Sequence, residues 1–67
     1  MRVRVNGEER ELATGTTVAD VVAALVGREP RGVAVALDRE VVPRGAWPAT
    51  ELAEGQEVEV LEAVAGG

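Results

Sequence analysis

The sequence closes on Gly66-Gly67, and a diglycine ending in an α-carboxylate is the group in this chain best suited to chemistry. Two residues without a Cβ can thread a channel too narrow for any other pair, through backbone angles closed to other residues. The carboxylate is a poor electrophile until one of its oxygens becomes a leaving group, as happens when ATP converts it to an acyl-adenylate. A merely floppy end is the ordinary alternative, because termini tolerate glycine. Gly makes up 8 of the 67 residues, so a terminal pair arises by chance only about once in 70. The residues therefore predict that Gly67 is the modified residue, with Gly66 and Ala65 giving the reach needed to enter a partner's channel. Residues 65–67 are expected to form a flexible tail, since ordering glycine costs the most backbone entropy.

Little else in the chain can do chemistry. There is no His and no Cys, which removes the commonest general base, the best nucleophile and the softer metal ligands. A paired-carboxylate site would need a pocket deeper than a domain of this size readily forms. No intrinsic catalytic residue, no metal and no bound cofactor are expected. The net charge of -5 and pI near 4.5 disfavour nucleic acid, whose phosphates call for clustered Lys and Arg. All seven basic residues are Arg, a bias that GC-rich codon usage explains. No long apolar run or leader-like stretch appears, which predicts a cytoplasmic protein without a membrane span, monomeric when free.

The elements that must position the tail are legible from periodicity. Met1 to Val5 alternates as a half-buried strand does, and Asn6-Gly7 is a strong hairpin signal, because a type I′ turn needs φ > 0 at both central residues. A partner strand follows over about 9–13, with Val5 facing Glu8, Val3 facing Arg10 and Met1 facing Leu12. Thr17 and Asp20 form a capping box that opens a helix over about 18–26. Its apolar stripe is Val18, Val21, Val22 and Leu25, and Gly27 with Pro30 stops it. Val33 to Leu37 reads as a buried strand, with large residues on one face and Ala34 and Ala36 on the other. Val41-Val42 reads as a short strand that Pro43 confines to an edge. Trp47 is expected to plug the core, and residues 50–54 to make one helical turn closed by Gly55. A last strand runs from Glu57 to about Val64, its acids outward and Val58 and Val60 inward.

Sixty-seven residues make one domain, 1–67, of the α+β class. A helical crossover between a hairpin and a third strand covers one face of the sheet. By analogy with the β-grasp (ubiquitin-like) arrangement, the sheet has about five strands and is mixed, with first and last strands parallel neighbours. That pairing is predicted to set Arg2 and Arg4 beside Glu57 and Glu59 on the exposed face.

Residues in nearly every element resemble the ThiS family of thiamine-biosynthesis sulfur carriers. The matching stretches are Asn6-Gly7-Glu8, Thr16-Thr17-Val18-Ala19-Asp20, Val33-Ala34-Val35-Ala36, Glu40-Val41-Val42-Pro43-Arg44, Trp47, Leu52 with Gly55, and Ala63-Val64-Ala65-Gly66-Gly67. Two positions depart from the pattern, Asp38 where Asn is common and Gln56 where Asp is common; both are expected to affect turns rather than function. The resemblance implies that an E1-like adenylyltransferase (ThiF-like) uses MgATP to adenylate Gly67. Sulfur relayed from cysteine by a desulfurase would then give a thiocarboxylate, which a ThiG-like thiazole synthase consumes. The carrier would be a co-substrate and not a catalyst.

Ala34 and Ala36 should leave a flat, weakly apolar outer face, a candidate docking surface set against an ordinary solvated one. Three other readings use the same features. A molybdopterin-type carrier shares the diglycine but tends to be longer. A TGS-like binding module shares the Gly-Thr-Thr-Val-Ala-Asp helix start but does not require the tail. A ubiquitin-like modifier shares the adenylation chemistry and differs in acceptor.

Overall fold

The computed structural model describes residues 1–27 and 31–63. Strands β1 (Arg2–Val5) and β2 (Glu8–Glu11) form the predicted hairpin. Asn6 and Gly7 carry φ of 50° and 84°, as a two-residue I′ loop demands, and the register pairs Val5 with Glu8 and Val3 with Arg10. The Leu12 amide donates to the Met1 carbonyl at 2.8 Å, so the ladder continues past the strands. Val3 and Val5 are buried, while Arg10 keeps its guanidinium at the rim against Glu8 Oε1, 3.1 Å away.

Helix α1 (Val18–Val26) opens on the capping box. Thr17 Oγ1 accepts from the Asp20 amide at 3.2 Å, and Asp20 Oδ2 accepts from the Thr17 amide at 2.9 Å. Val18, Val21 and Val22 are buried, but Leu25, predicted to share that stripe, is 43% exposed. The sheet explains this departure. The inward positions of β2 are Glu8 and Arg10, so the last turn of the helix overlies a polar rim and Leu25 sits beside Arg10 and Leu12. Gly27 ends the helix, its amide bonded to the Ala23 carbonyl at 3.1 Å. Pro30, the predicted stop, lies outside the described residues.

Strands β3 (Val33–Leu37), β4 (Glu40–Val42) and β5 (Glu57–Glu62) complete a five-stranded sheet in the order β2-β1-β5-β3-β4. β1 and β5 are parallel, and the other pairs are antiparallel. This is the expected β-grasp arrangement, with α1 across one face and β4 at an edge. The core between helix and sheet holds Val3, Val5, Val18, Val21, Val22, Val35, Trp47, Leu52, Val58 and Val60. Valine dominates it because a thin layer between one short helix and a sheet has room for little larger.

Two side-chain clamps hold β5. Asn6 Oδ1 accepts from the Val60 amide at 2.8 Å and Asn6 Nδ2 donates to the Val60 carbonyl at 3.3 Å, a side chain standing in for the next rung of the β1–β5 ladder. At the start of the strand, Asp38 Oδ1 accepts from the Glu57 amide at 2.9 Å, and Asp38 Oδ2 accepts from Gln56 Nε2 at 3.3 Å. The two positions that depart from the ThiS pattern thus touch each other. Asp38, with φ of 48°, and Arg39, with φ of 70°, form the tight β3–β4 turn.

The region before β5 departs from expectation. The helical turn predicted over 50–54 is absent, and a 3-10 helix spans Arg44–Ala49 instead. Pro43 fixes its entry, where the Ala46 amide bonds the Pro43 carbonyl at 2.8 Å. Residues 50–52 are extended because their backbone pairs with the approach to α1. The Val18 amide donates to Thr50 O and the Leu52 amide to Thr16 O, both at 2.9 Å. Trp47 plugs the core as predicted, 5% exposed, its Nε1 donating to the Val42 carbonyl at 2.9 Å.

The predicted charge pairing also changes. Arg4 lies opposite Glu57, but Arg2 pairs with Glu9 and Glu11 of β2, at 3.8 and 3.6 Å. Antiparallel register places Arg2 opposite Glu11, whereas on its other side Arg2 meets the turn at Glu54-Gly55, whose Gly55 amide bonds its carbonyl at 2.7 Å. The Met1 ammonium, 3.0 Å from Glu11 Oε2, and then Arg2 hold the Glu11 carboxyl below its usual pKa.

Candidate functional site: the base of the tail and the open sheet face

Ala65, Gly66 and Gly67 lie outside the described residues, so the predicted tail is approached through what positions its base. β5 enters from the sheet centre, hydrogen-bonded to β1 on one side and β3 on the other. Its pairing with β3 runs from Leu37↔Val58 to Val33↔Glu62. One further bond closes it, from the Ala63 amide to the Gly32 carbonyl at 2.8 Å. The β1 side holds β5 as far as the Asn6 clamp on Val60, so Leu61 to Ala63, the base of the tail, are held by the β3 side.

The sheet face opposite α1 carries the outward residues of every strand. In the β3, β4 and β5 sector these are Ala34, Ala36, Val41, Glu59 and Leu61. Ala34 pairs with Leu61, and Ala36 lies between Glu59 and Val41. Together they line a shallow apolar depression. Val41 is 77% exposed and Leu61 67% exposed, so the two alanines are its floor and the larger side chains its walls. Leu61 stands two residues before Ala63, so the patch runs up to the base of the tail.

The sequence reading found Ala34 and Ala36 but missed Val41 and Leu61. A signal for Leu61 was available. Glu57, Glu59 and Leu61 occupy one phase of the strand, and an apolar residue following two outward acids is an exposed one. Val41 carried a misleading signal, because Glu40 read as an outward acid turns Val41 inward; the β3–β4 register instead pairs Glu40 with Leu37 and Val41 with the outward Ala36.

The other end of the same face is polar. Arg2, Arg4, Glu9, Glu54 and Glu57 line an open depression near the start of β5, away from the tail. Among the described residues no group of three or more His, Cys, Asp or Glu side chains is placed to hold a metal ion. No buried side-chain polar atom among them lacks a hydrogen-bond partner. None of their helices is long and apolar enough to cross a membrane.

The chain is similar to known proteins along its whole length. A family model described as the ThiS family matches residues 3–67. The sulfur carrier protein ThiS of Escherichia coli is 28% identical over 67 residues, all of both chains. A thiazole synthase of Magnetococcus marinus is 36% identical over all 67 residues, but the chain spans only 20% of that relative's length. The crystal structure of the thiamine biosynthesis protein ThiS from Geobacter metallireducens superposes with a TM-score of 0.80 at 33% identity, covering all of both chains.

Proposed function

Because this chain belongs to the ThiS family, we propose that it is a sulfur carrier of thiamine biosynthesis whose working group is the Gly67 carboxylate. The observation that carries this reading is that the family match extends through Gly66 and Gly67, the residues singled out by their chemistry. A ThiF-like enzyme uses MgATP to form the Gly67 acyl-adenylate, releasing pyrophosphate. AMP is then the leaving group when the terminal sulfur of a desulfurase-derived persulfide attacks the carbonyl carbon, and a thiol reductant cleaves the S–S bond of the acyl disulfide so formed. The resulting thiocarboxylate gives its sulfur to thiazole formation. The folded body supplies docking area and no acid, base, metal or cofactor of its own, and it acts as a co-substrate in the cytoplasm.

A ThiG-like thiazole synthase is the acceptor. In the Magnetococcus marinus protein a stretch similar to this chain and the rest of a thiazole synthase share one polypeptide, as in a second such relative from Paramagnetospirillum magneticum. That linkage favours the thiazole over the molybdopterin branch, and it favours sulfur transfer over a TGS-like or modifier role. The apolar depression of Ala34, Ala36, Val41 and Leu61 is the docking face for the adenylating partner. It combines exposed apolar area with the exit of the tail, as a partner that must bind the body and receive the terminus requires.

The test is direct. Incubated with the ThiF-like enzyme, MgATP, a desulfurase, cysteine and a thiol reductant, the protein gains the mass of one oxygen replaced by one sulfur, mapping to Gly67. Deleting Gly67 abolishes the gain and leaves the fold intact. Gly66→Val slows adenylation with stability unchanged, because a β-branched side chain crowds the channel and restricts the backbone. Sulfur accepted by the deletion variant overturns the reading.

A further inference from the structure

Among the six glycines of the described residues, only Gly32 has a heavy atom within 4 Å of the position a Cβ would take. That atom is the Cβ of Ala63, 3.2 Å away, with the Ala63 carbonyl oxygen and amide nitrogen at 3.8 and 3.9 Å. Gly32 also has φ of 65°, and its carbonyl accepts the Ala63 amide at 2.8 Å. It is exposed, so core packing does not demand a small residue there. Two separate constraints, a left-handed backbone and a missing methyl, coincide where β5 gives way to the predicted tail.

Resting on the carrier reading, we propose that Gly32 is a positioning residue for the tail. By letting the chain entering β3 close against Ala63, it adds the last rung of the β3–β5 ladder and fixes the position of Ala63, from which the chain runs on to Gly67. Four residues span at most about 14 Å when extended. Once a partner's channel draws those residues out, that reach is used up, so a displaced Ala63 draws the Gly67 carbonyl carbon away from the reaction centre. The docking face lies on the strands themselves and is not altered by the change. Gly32 therefore governs delivery of the terminus and not the affinity of the body.

The experiment uses the whole chain and reads adenylation kinetics beside amide exchange. Gly32→Ala is expected to lower kcat for adenylation about tenfold with KM little changed, since small misplacements of a reacting group have large rate effects. In the same variant the Ala63 amide loses at least tenfold protection. Adding Ala63→Gly removes the opposing methyl and restores most of both. Gly15→Ala carries at least as much backbone strain, its φ of 95° lying beyond the left-handed region that holds Gly32, but meets open space, so it changes neither readout. Ala63→Val crowds the contact from the other side without backbone strain and reproduces the loss should Gly32→Ala fold poorly. Unchanged kcat in both crowding variants overturns the proposal, as does failure of Ala63→Gly to rescue. Wild-type protein that accepts no adenylate overturns the carrier reading instead. In that event the Ala63 amide still reports on Gly32: protection kept in both crowding variants sinks the positioning role, and protection lost upholds it.

Discussion

Single polar side chains take over backbone duties at two points in this fold. Asn6 supplies both positive φ for the hairpin turn and a two-bond clamp on Val60, which explains why asparagine stands there and not a second glycine. Asp38 and Gln56 make the second case. If the common pattern is Asn facing Asp, this chain reverses donor and acceptor: Gln56 Nε2 donates and Asp38 Oδ2 accepts. Gln56 cannot flip freely, because its Oε1 accepts the Ala53 amide at 2.7 Å. Asp38→Asn alone thus sets two amide donors face to face, and Gln56→Asp alone sets two carboxylates together. Each single change is expected to cost about 1 kcal/mol, and the pair Asp38→Asn/Gln56→Asp to recover most of it. A urea-denaturation double-mutant cycle measures the coupling; strict additivity would mean the contact is incidental. Gly32 acts at the same scale by the opposite means, a hydrogen where any other residue would set a carbon against Ala63.

At the scale of elements, the irregular segment between β4 and β5 contributes as much to the core as α1 does. Trp47 reaches under the helix from the 3-10 turn, and Leu52 follows it inward on an extended stretch. Removing the indole is therefore severe. Trp47→Ala should cost about 3–5 kcal/mol. At roughly 0.05–0.15 kcal/mol per residue that is a large part of the stability of a 67-residue domain. Trp47→Phe keeps most of the packing but leaves the Val42 carbonyl without its Nε1 donor, for about 1–2 kcal/mol. Thermal unfolding followed by circular dichroism separates the two, and equal losses would show that the hydrogen bond, and not the volume, holds this segment in place. The edges of the sheet are protected differently: β2 by its charged side chains, and β4 by its shortness and Pro43.

For the whole molecule, the sheet divides labour between its faces and between its ends. One face buries valines under α1, and the other is polar near the start of β5 and apolar near the base of the tail. Docking and delivery are then separable. Val41→Ser with Leu61→Ser should leave stability within about 0.5 kcal/mol, because both side chains are mostly exposed. The double variant should raise KM for adenylation about tenfold with kcat held, the opposite signature to that of Gly32→Ala. An unchanged KM would remove this face from the docking reaction.

Local rules settled much of this protein before any long-range contact is considered. Alternation, Asn6-Gly7 and the Thr17–Asp20 box each depend on residues within a few positions of one another, and hairpin, helix and strand phases follow from them. The chemistry of the diglycine is equally local, a property of two residues and a carboxylate. The tertiary structure decided what depends on register between distant segments. It turned Val41 and Leu61 outward beside Ala34 and Ala36, and it left Leu25 over a polar rim. It gave Arg2 to β2 rather than β5, and drew residues 50–52 into extended pairing with Thr16–Val18 in place of a helical turn. It also brought Gly32 against Ala63, thirty-one positions away. No periodicity in one stretch of chain encodes such a contact, because its energy exists only once two strands share a ladder.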